Sequence, residues 1–342
     1  MRVLVTGHQG YLGTVMVPIL QLAGHDVTGL DTGFFADCVL GPEPADPPAI
    51  QVDLRDVTVE QLAGFDAVIH LAALSNDPLG ALAPQITYEI NHLASVRLAR
   101  LAKSAGVRRF LYASTCSVYG SAGDDLVNED APLRPLTPYA ESKVRVEDDV
   151  AEMADDSFTP VFLRNATAFG FSPRLRADIV LNNLVGHGFL TGEVRVLSDG
   201  TPWRPLVHAR DIAAAFLLAL EAPAKKVHCA AYNVGSESNN LTVAEIAQAV
   251  VDVVPGSELM ITGETGADPR SYRVDFSKVR EELGFEAKWS IPDGAAELYK
   301  EYDAAGLTAV AFVKKFTRLA HLEELRDYGV IDKTLRRVRT YA

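Results

Sequence analysis

Residues 6–13 read Thr6-Gly7-His8-Gln9-Gly10-Tyr11-Leu12-Gly13 and follow directly on the apolar run Val3-Leu4-Val5. An apolar run, a cluster of glycines and then the amphipathic stretch Tyr11 to Leu22 predict a strand, a tight turn and a helix. In that setting each glycine has its own task. Gly7 permits the turn, Gly10 lets the main chain approach a pyrophosphate, and Gly13 allows the helix to pack close to the sheet. The helix N-terminus then offers N–H donors to phosphate oxygens. The residues from Gly7 through Gln9, Gly10, Tyr11 and Leu12 to Gly13 therefore form a candidate dinucleotide-binding loop. A bare glycine triplet is also an ordinary strand-to-helix turn, so the rest of the chain has to decide.

Outward from this loop, short runs rich in Val, Ile and Leu alternate with stretches of helical period, the signature of parallel strands joined by crossover helices. Strands are predicted at Val3 to Thr6, Val27 to Asp31, Ala67 to Leu71, Phe110 to Ala113 and Val161 to Arg164, and helices at Tyr11 to Leu22, Ile86 to Ala105 and Pro138 to Ala154. The fold class is α/β, a doubly wound parallel sheet of the Rossmann type with a smaller C-terminal substrate-binding part. We divide the chain at 1–170, 171–306 and 307–342. Past Gly170 the pattern is less regular, with loops expected around Ser172 to Arg176, Asp199 to Pro205 and Gly263 to Arg273. The last stretch scatters Lys314, Lys315, Arg318, Lys333, Arg336, Arg337 and Arg339, which reads as a solvated helical tail or a subunit contact.

Ligands of such sheets bind beyond the carboxyl ends of the strands. Asp31 ends the second strand, where a carboxylate accepts hydrogen bonds from an adenosine ribose diol and repels a 2′-phosphate, so NAD is expected rather than NADP. Asp53 and Leu54 follow the third run and meet the adenine edge, unless Asp53 only caps a turn. His70-Leu71-Ala72-Ala73 ends another strand, its small residues suiting close passage of a cofactor and His70 itself reading as structural. Ser75, Asn76 and Asp77 come next, of which Ser75 is taken as the contact.

The chemistry comes from Tyr139 and Lys143, four residues apart on one face of the predicted helix. A tyrosine ionises near pH 10 in water. A neighbouring ammonium favours the phenolate, which then serves as a base near neutral pH. Thr115, at the end of the preceding strand, is placed to hold the hydroxyl that Tyr139 deprotonates. Its neighbour Ser114 is assigned to tying off the strand end.

Composition excludes other classes. The 342 residues include 45 acidic against 32 basic, a net charge of −13 that repels a nucleic-acid backbone. Three cysteines, Cys38, Cys116 and Cys229, are widely spaced with no zinc-ligand pattern, so no metal and a reducing compartment are expected. The start shows no secretory leader, and the longest apolar runs are too short for a membrane span, which predicts a cytoplasmic protein.

Together the TGHQGYLG loop, Asp31, HLAA, STCSVYG and YAESK resemble the extended short-chain dehydrogenases that modify nucleotide sugars, among them UDP-galactose 4-epimerase. The resemblance spans roughly residues 1 to 300. It implies NAD as cofactor, Thr115, Tyr139 and Lys143 as the catalytic set, and a cofactor site that also takes in Leu71, Ala72, Ala73, Asn91 and Ala113. Trp203-Arg204-Pro205-Leu206-Val207-His208 with Asp211 is similar to the family's segment that brings an arginine, here Arg204, to the substrate diphosphate. Asp268-Pro269-Arg270-Ser271-Tyr272 resembles a second, making Arg270 a phosphate partner or a surface ion pair. Where many relatives place a substrate-binding Asn, this chain has Thr167, with Asn165 and Asn182 or Asn183 as substitutes. The resemblance further implies a homodimer built on the two long helices.

The family's 4,6-dehydratases carry an Asp-Glu pair after the catalytic threonine, whereas this chain has Cys116 and Ser117. Neither is a good acid for expelling hydroxide, and Cys116 reads as a packing residue, although a thiol can handle a proton beside a ketone. The leading expectation is NAD-dependent epimerisation of a nucleotide-diphosphate sugar at C4 through a transient 4-keto sugar. A 4-ketoreductase, another dehydrogenase or a dehydratase on the same scaffold is the alternative, and a non-catalytic nucleotide sensor a third.

Overall fold

The computed structural model describes residues 1–75, 84–264 and 270–338. Its central sheet has seven parallel strands, β1 (Arg2–Thr6), β2 (Asp26–Asp31), β3 (Ala49–Gln51), β4 (Ala67–His70), β5 (Arg109–Thr115), β7 (Thr159–Asn165) and β11 (Ala230–Val234). The other strands pair in smaller sheets: β6 (Ser121–Val127) with β14 (Ser271–Val274), β8 (Thr167–Phe169) with β10 (Trp203–His208) and β12 (Asn240–Thr242), and β9 (Glu193–Val196) with β13 (Glu258–Ile261). The order β11-β7-β5-β4-β1-β2-β3 reverses direction at β1 and β4, which opens a crevice there. This is the doubly wound Rossmann-type sheet that the alternating pattern predicts.

Val3, Leu4 and Val5 of β1 are all at 0% exposure, so the strand is covered on both faces and reads as a continuous apolar run. On one face Met16, Val17 and Leu20 of the Tyr11–Leu22 helix meet Ile212 and Phe216 of the Ala209–Glu221 helix. On the other lie Leu98, Ala99 and Ala102, with Val146 and Val150 of the Pro138–Ala151 helix. The helix expected over Ile86 to Ala105 runs as Pro84–Thr87, a π-helical stretch Tyr88–Ala94, and Ser95–Ser104. The next helix stops at Ala151, short of the expected Ala154. Just beyond, Asp155 Oδ1 accepts from Ser157 N–H at 2.8 Å and from its hydroxyl at 2.7 Å, a local turn that competes with helix.

β11 was not expected, because Asn233 interrupts its apolar run. That residue is at 0% exposure and accepts a hydrogen bond from Tyr119 Oη at 2.7 Å. The expected loops also shrink: Trp203 to Pro205 belong to β10, and Ser271 to Arg273 to β14. Residues Asn76, Asp77, Asp268, Pro269 and Arg339 lie outside the described residues.

A second core gathers Leu181, Val185, Ile246, Val250, Leu298 and Tyr302 from the helices Val180–Thr191, Val243–Val253 and Ile291–Ala304. Phe312 and Phe316 join it, and Leu322 and Ile331 pack with Phe34 and Phe35. The described part of 307–342 is thus no free tail: it docks onto its own chain while Lys314, Lys333 and Arg337 stay exposed. Charges there alternate with apolar side chains at no helical period, so the buried face is invisible in the sequence. Among the described residues no helix is long and apolar enough to cross a membrane.

Candidate active site

The carboxyl ends of β1, β4 and β5 border a cleft of about 840 Å³. At its floor, Gly7 holds φ +75°, and a Cβ added there would stand 2.8 Å from Ala72 N. A Cβ at Gly13 would meet Gly7 O at 2.3 Å, so the helix can approach the loop only because this residue lacks one. Gly10 caps the helix without a side chain, which leaves first-turn N–H groups facing the cleft for an anion.

Asp31 closes β2 beside this loop and lines the cleft. Its Oδ2 accepts from Gln9 N–H at 3.1 Å and its Oδ1 from Gly33 N–H at 2.9 Å, which fixes the carboxylate toward an incoming ribose diol. Tyr11, Leu12, Leu54, Leu71, Ala72, Ala73, Ser75 and Ala113 also line the cleft. Asp53 does too, yet its carboxylate caps Arg55 N–H at 2.9 Å and pairs with that guanidinium at 2.7 Å, holding the carboxyl below its usual range against the cost of burial. It is a turn cap at the edge of the site.

Lys143, 3% exposed, donates to Ala113 O at 2.7 Å and lies 4.6 Å from the Tyr112 ring centroid and 5.7 Å from that of Tyr139. Burial lowers its pKa to about 7, opposed by the carboxylate of Glu147 one turn on. The helix that carries Tyr139 and Lys143 starts at a defined point: Thr137 accepts from Ala140 N–H at 3.2 Å and Pro138 occupies the first turn. Thr115 lines the same part of the cleft, its hydroxyl accepting from Ser117 N–H at 3.1 Å. Ser114 donates to Glu147 and so braces the strand end. Cys116 is fully buried, with its thiol on Arg164 O at 3.0 Å and its pKa pushed well up.

His70 sits between Thr6 Oγ1 at 2.6 Å and Ser95 Oγ at 2.7 Å, and burial lowers its pKa to about 3. It is a neutral tie between two strands and a helix.

At the far end, Arg204, Arg270, Thr167, Asn165 and Asn183 line the cleft. Asn165 Oδ1 is buried with no hydrogen-bond partner among the described residues, while its amide nitrogen donates to Ser114 O at 3.3 Å. Three expected contacts lie elsewhere. Asn182 is spent on Gly170 N–H, Gly170 O and Arg176 O, at 3.1, 3.2 and 3.1 Å. Asn91 accepts from Leu74 N–H at 2.8 Å and donates to Leu74 O at 3.0 Å, bracing the HLAA strand end from behind. Gln9 turns its side chain to Asp46 at 2.8 Å. Asn182 and Asn91 satisfy main-chain groups and Gln9 a carboxylate from a distant loop, pairings that spacing in the sequence does not reveal.

Other lining residues escape sequence reasoning. Arg176 pairs with Asp178 at 2.9 Å and donates to Ser75 Oγ at 3.0 Å, and Phe34, Phe35, Arg318 and Leu335 complete the wall. Arg318 opens the Arg318–Asp327 helix and the others sit in irregular segments, none with a motif.

The segment 3–235 matches the model of the NAD dependent epimerase/dehydratase family. The chain belongs to that family. A UDP-glucose 4-epimerase from Corynebacterium glutamicum is 28% identical over 304 residues, covering 83% of this chain and 90% of the relative. Among solved structures, a UDP-glucose-4-epimerase from Stenotrophomonas maltophila with bound NAD and formylated UDP-arabinopyranose is 27% identical, with a TM-score of 0.76 over 90% of this chain and 99% of that one. The dTDP-glucose 4,6-dehydratase DesIV from Streptomyces venezuelae, also with NAD bound, is 26% identical, with a TM-score of 0.77 over 91% and 100%. NAD is the cofactor of this family member, and the glycine cradle, the uncapped helix end and the Asp31 carboxylate fit it.

Proposed function

We propose that this epimerase/dehydratase family member inverts C4 of a nucleoside-diphosphate sugar. The observation that carries the reading is the convergence of Thr115, Tyr139 and Lys143 on one stretch of a cleft that runs from Asp31 to Arg204 and Arg270. Bound NAD supplies the hydride acceptor and donor at the sugar carbon. The chain's own residues manage the proton and the geometry. Thr115 holds the C4 hydroxyl, Tyr139 removes its proton as the phenolate, and the Lys143 ammonium stabilises that phenolate. Arg204 and Arg270 anchor the diphosphate while the keto sugar turns to present the opposite face of C4 for hydride return, and Tyr139 gives the proton back to the C4 oxygen.

Elimination of water would need a further acid and base near the sugar. Among the described residues, Cys116 is buried on a carbonyl, Ser117 bonds Thr115, and the cleft carboxylates Asp31, Asp53 and Asp178 are all hydrogen-bonded or ion-paired. This favours epimerase over dehydratase chemistry. Arg204, Arg270, Asn165, Thr167 and Asn183 are proposed as substrate contacts. A homodimer through the two long helices accords with Leu93 standing 60% exposed on one of them, and a cytoplasmic setting with three unpaired cysteines.

Incubation with UDP-, dTDP-, GDP- and CDP-sugars, followed by NMR without added reductant, tests the reaction. Inversion at C4 with no net redox change is expected. Stoichiometric NADH consumption, a dehydrated product, or no conversion of any sugar overturns it.

A further inference from the structure

Beyond the family segment, the helices Ala309–Lys314 and Arg318–Asp327 are followed by a turn closed by the Ile331 to Arg337 bridge. This stretch is tied to the loops after β2 and β3. Arg337 donates to Thr32 O at 3.0 Å, His321 Nε2 lies 2.9 Å from Phe34 O, and Arg336 pairs with Asp56 at 2.6 Å. From the other side, Arg55 donates to Thr334 O at 2.9 Å and Leu335 O at 3.2 Å. Those loops flank Asp31, so the segment covers the end of the cleft where the adenosine half of NAD belongs.

Arg318 enters the cleft from this segment and is 4% exposed. Its guanidinium lies 4.2 Å from the Phe35 ring centroid, and Nη2 donates to Arg174 O at 3.2 Å. Nη1 is buried with no hydrogen-bond partner among the described residues. The titratable groups acting on it are Arg176, the buried Cys38, Asp178 and Asp31. A buried guanidinium with an unmet N–H and a second arginine nearby calls for an anion. It lines the cleft together with Asp31, Arg176 and the open helix end at Gly10, Tyr11 and Leu12, which suits a diphosphate lying over the glycine loop.

We propose that the C-terminal segment is part of the cofactor site, with Arg318 binding the diphosphate of NAD and residues 331–338 closing over its adenosine half. Arg204 and Arg270, which line the same cleft, are assigned to the substrate's diphosphate. The ligand chemistry, a nucleoside diphosphate, is common to both molecules, so the test separates them.

Titration calorimetry on the full-length chain stripped of nucleotide, as wild type and Arg318→Gln, should use ADP, adenosine and UDP as probes. ADP affinity is expected to fall about 10- to 100-fold, while adenosine and UDP change less than about 2-fold. Unchanged ADP binding overturns the proposal. So does loss confined to UDP, which assigns Arg318 to the substrate, or an equal loss of ADP and adenosine, which makes it a structural brace. Hydrogen exchange of the wild type covers the case of a variant that does not fold. ADP should protect residues 318–327 and 331–338 and adenosine only residues 331–338, whereas equal protection of 318–327 by both, or no protection of either stretch, overturns the proposal.

Discussion

Lys143 shows at the scale of one residue what burial does to a cation in the cleft. Its folded pKa of about 7 lies below the 10.5 of the exposed amine, so between those values the unfolded chain holds the extra proton. By linkage, the stability this residue contributes rises with pH through that window and is lowest below it. In denaturant titrations of nucleotide-free protein, wild type should gain on Lys143→Met by on the order of 1 kcal/mol per pH unit from pH 7 upward. The same variant should lose about 100-fold or more in kcat, because no ammonium then favours the Tyr139 phenolate. A stability difference that does not move with pH would mean that Lys143 titrates as it does in water.

At the scale of elements, the site depends on how the Pro138–Ala151 helix is held against β5 and β7. Glu147 receives Arg164 through both oxygens, at 2.6 Å for the closest contact, with side chains 6% and 8% exposed, and also accepts from Ser114. Removing one charge strands the other in a dry interior. Glu147→Gln should therefore cost about 3–5 kcal/mol of unfolding free energy by urea titration. It should also drop the Lys143 pKa further, since Glu147 is what raises it. A cost below 1 kcal/mol would show the pair to be solvated. The strands and the helix were readable from periodicity, since parallel strands covered on both faces leave uninterrupted Val, Ile and Leu. This brace was not, because a Glu on a helix and an Arg in a strand 17 residues later carry no pairing signal.

Over the whole molecule, two cores meet at the cleft, one around the sheet and one among the helices after residue 180. The wall of the cleft takes Gly10 and Asp31 from the first part of the chain and Val180, Arg270 and Arg318 from the rest, so a ligand spanning it bridges them. Calorimetry of nucleotide-free protein should resolve two transitions, which merge and rise in temperature as NAD is added. At a hundredfold excess over Kd the gain is about 2.7 kcal/mol. A single transition in the nucleotide-free protein would show cores already coupled without the cofactor.

By itself the sequence determined the doubly wound sheet and the dinucleotide loop, and it singled out Asp31, Thr115, Tyr139 and Lys143, all of which line the cleft, because each of these features is local. A glycine spacing, a strand-end carboxylate or a helical i to i+4 pair is fixed by neighbours along the chain. Only the tertiary structure decided that Asn91 and Asn182 serve the main chain rather than a ligand, that Arg176 faces Ser75, and that the basic C-terminal segment returns to cover the cleft. Those outcomes depend on which buried polar groups need partners, and such partners come from residues far apart in sequence.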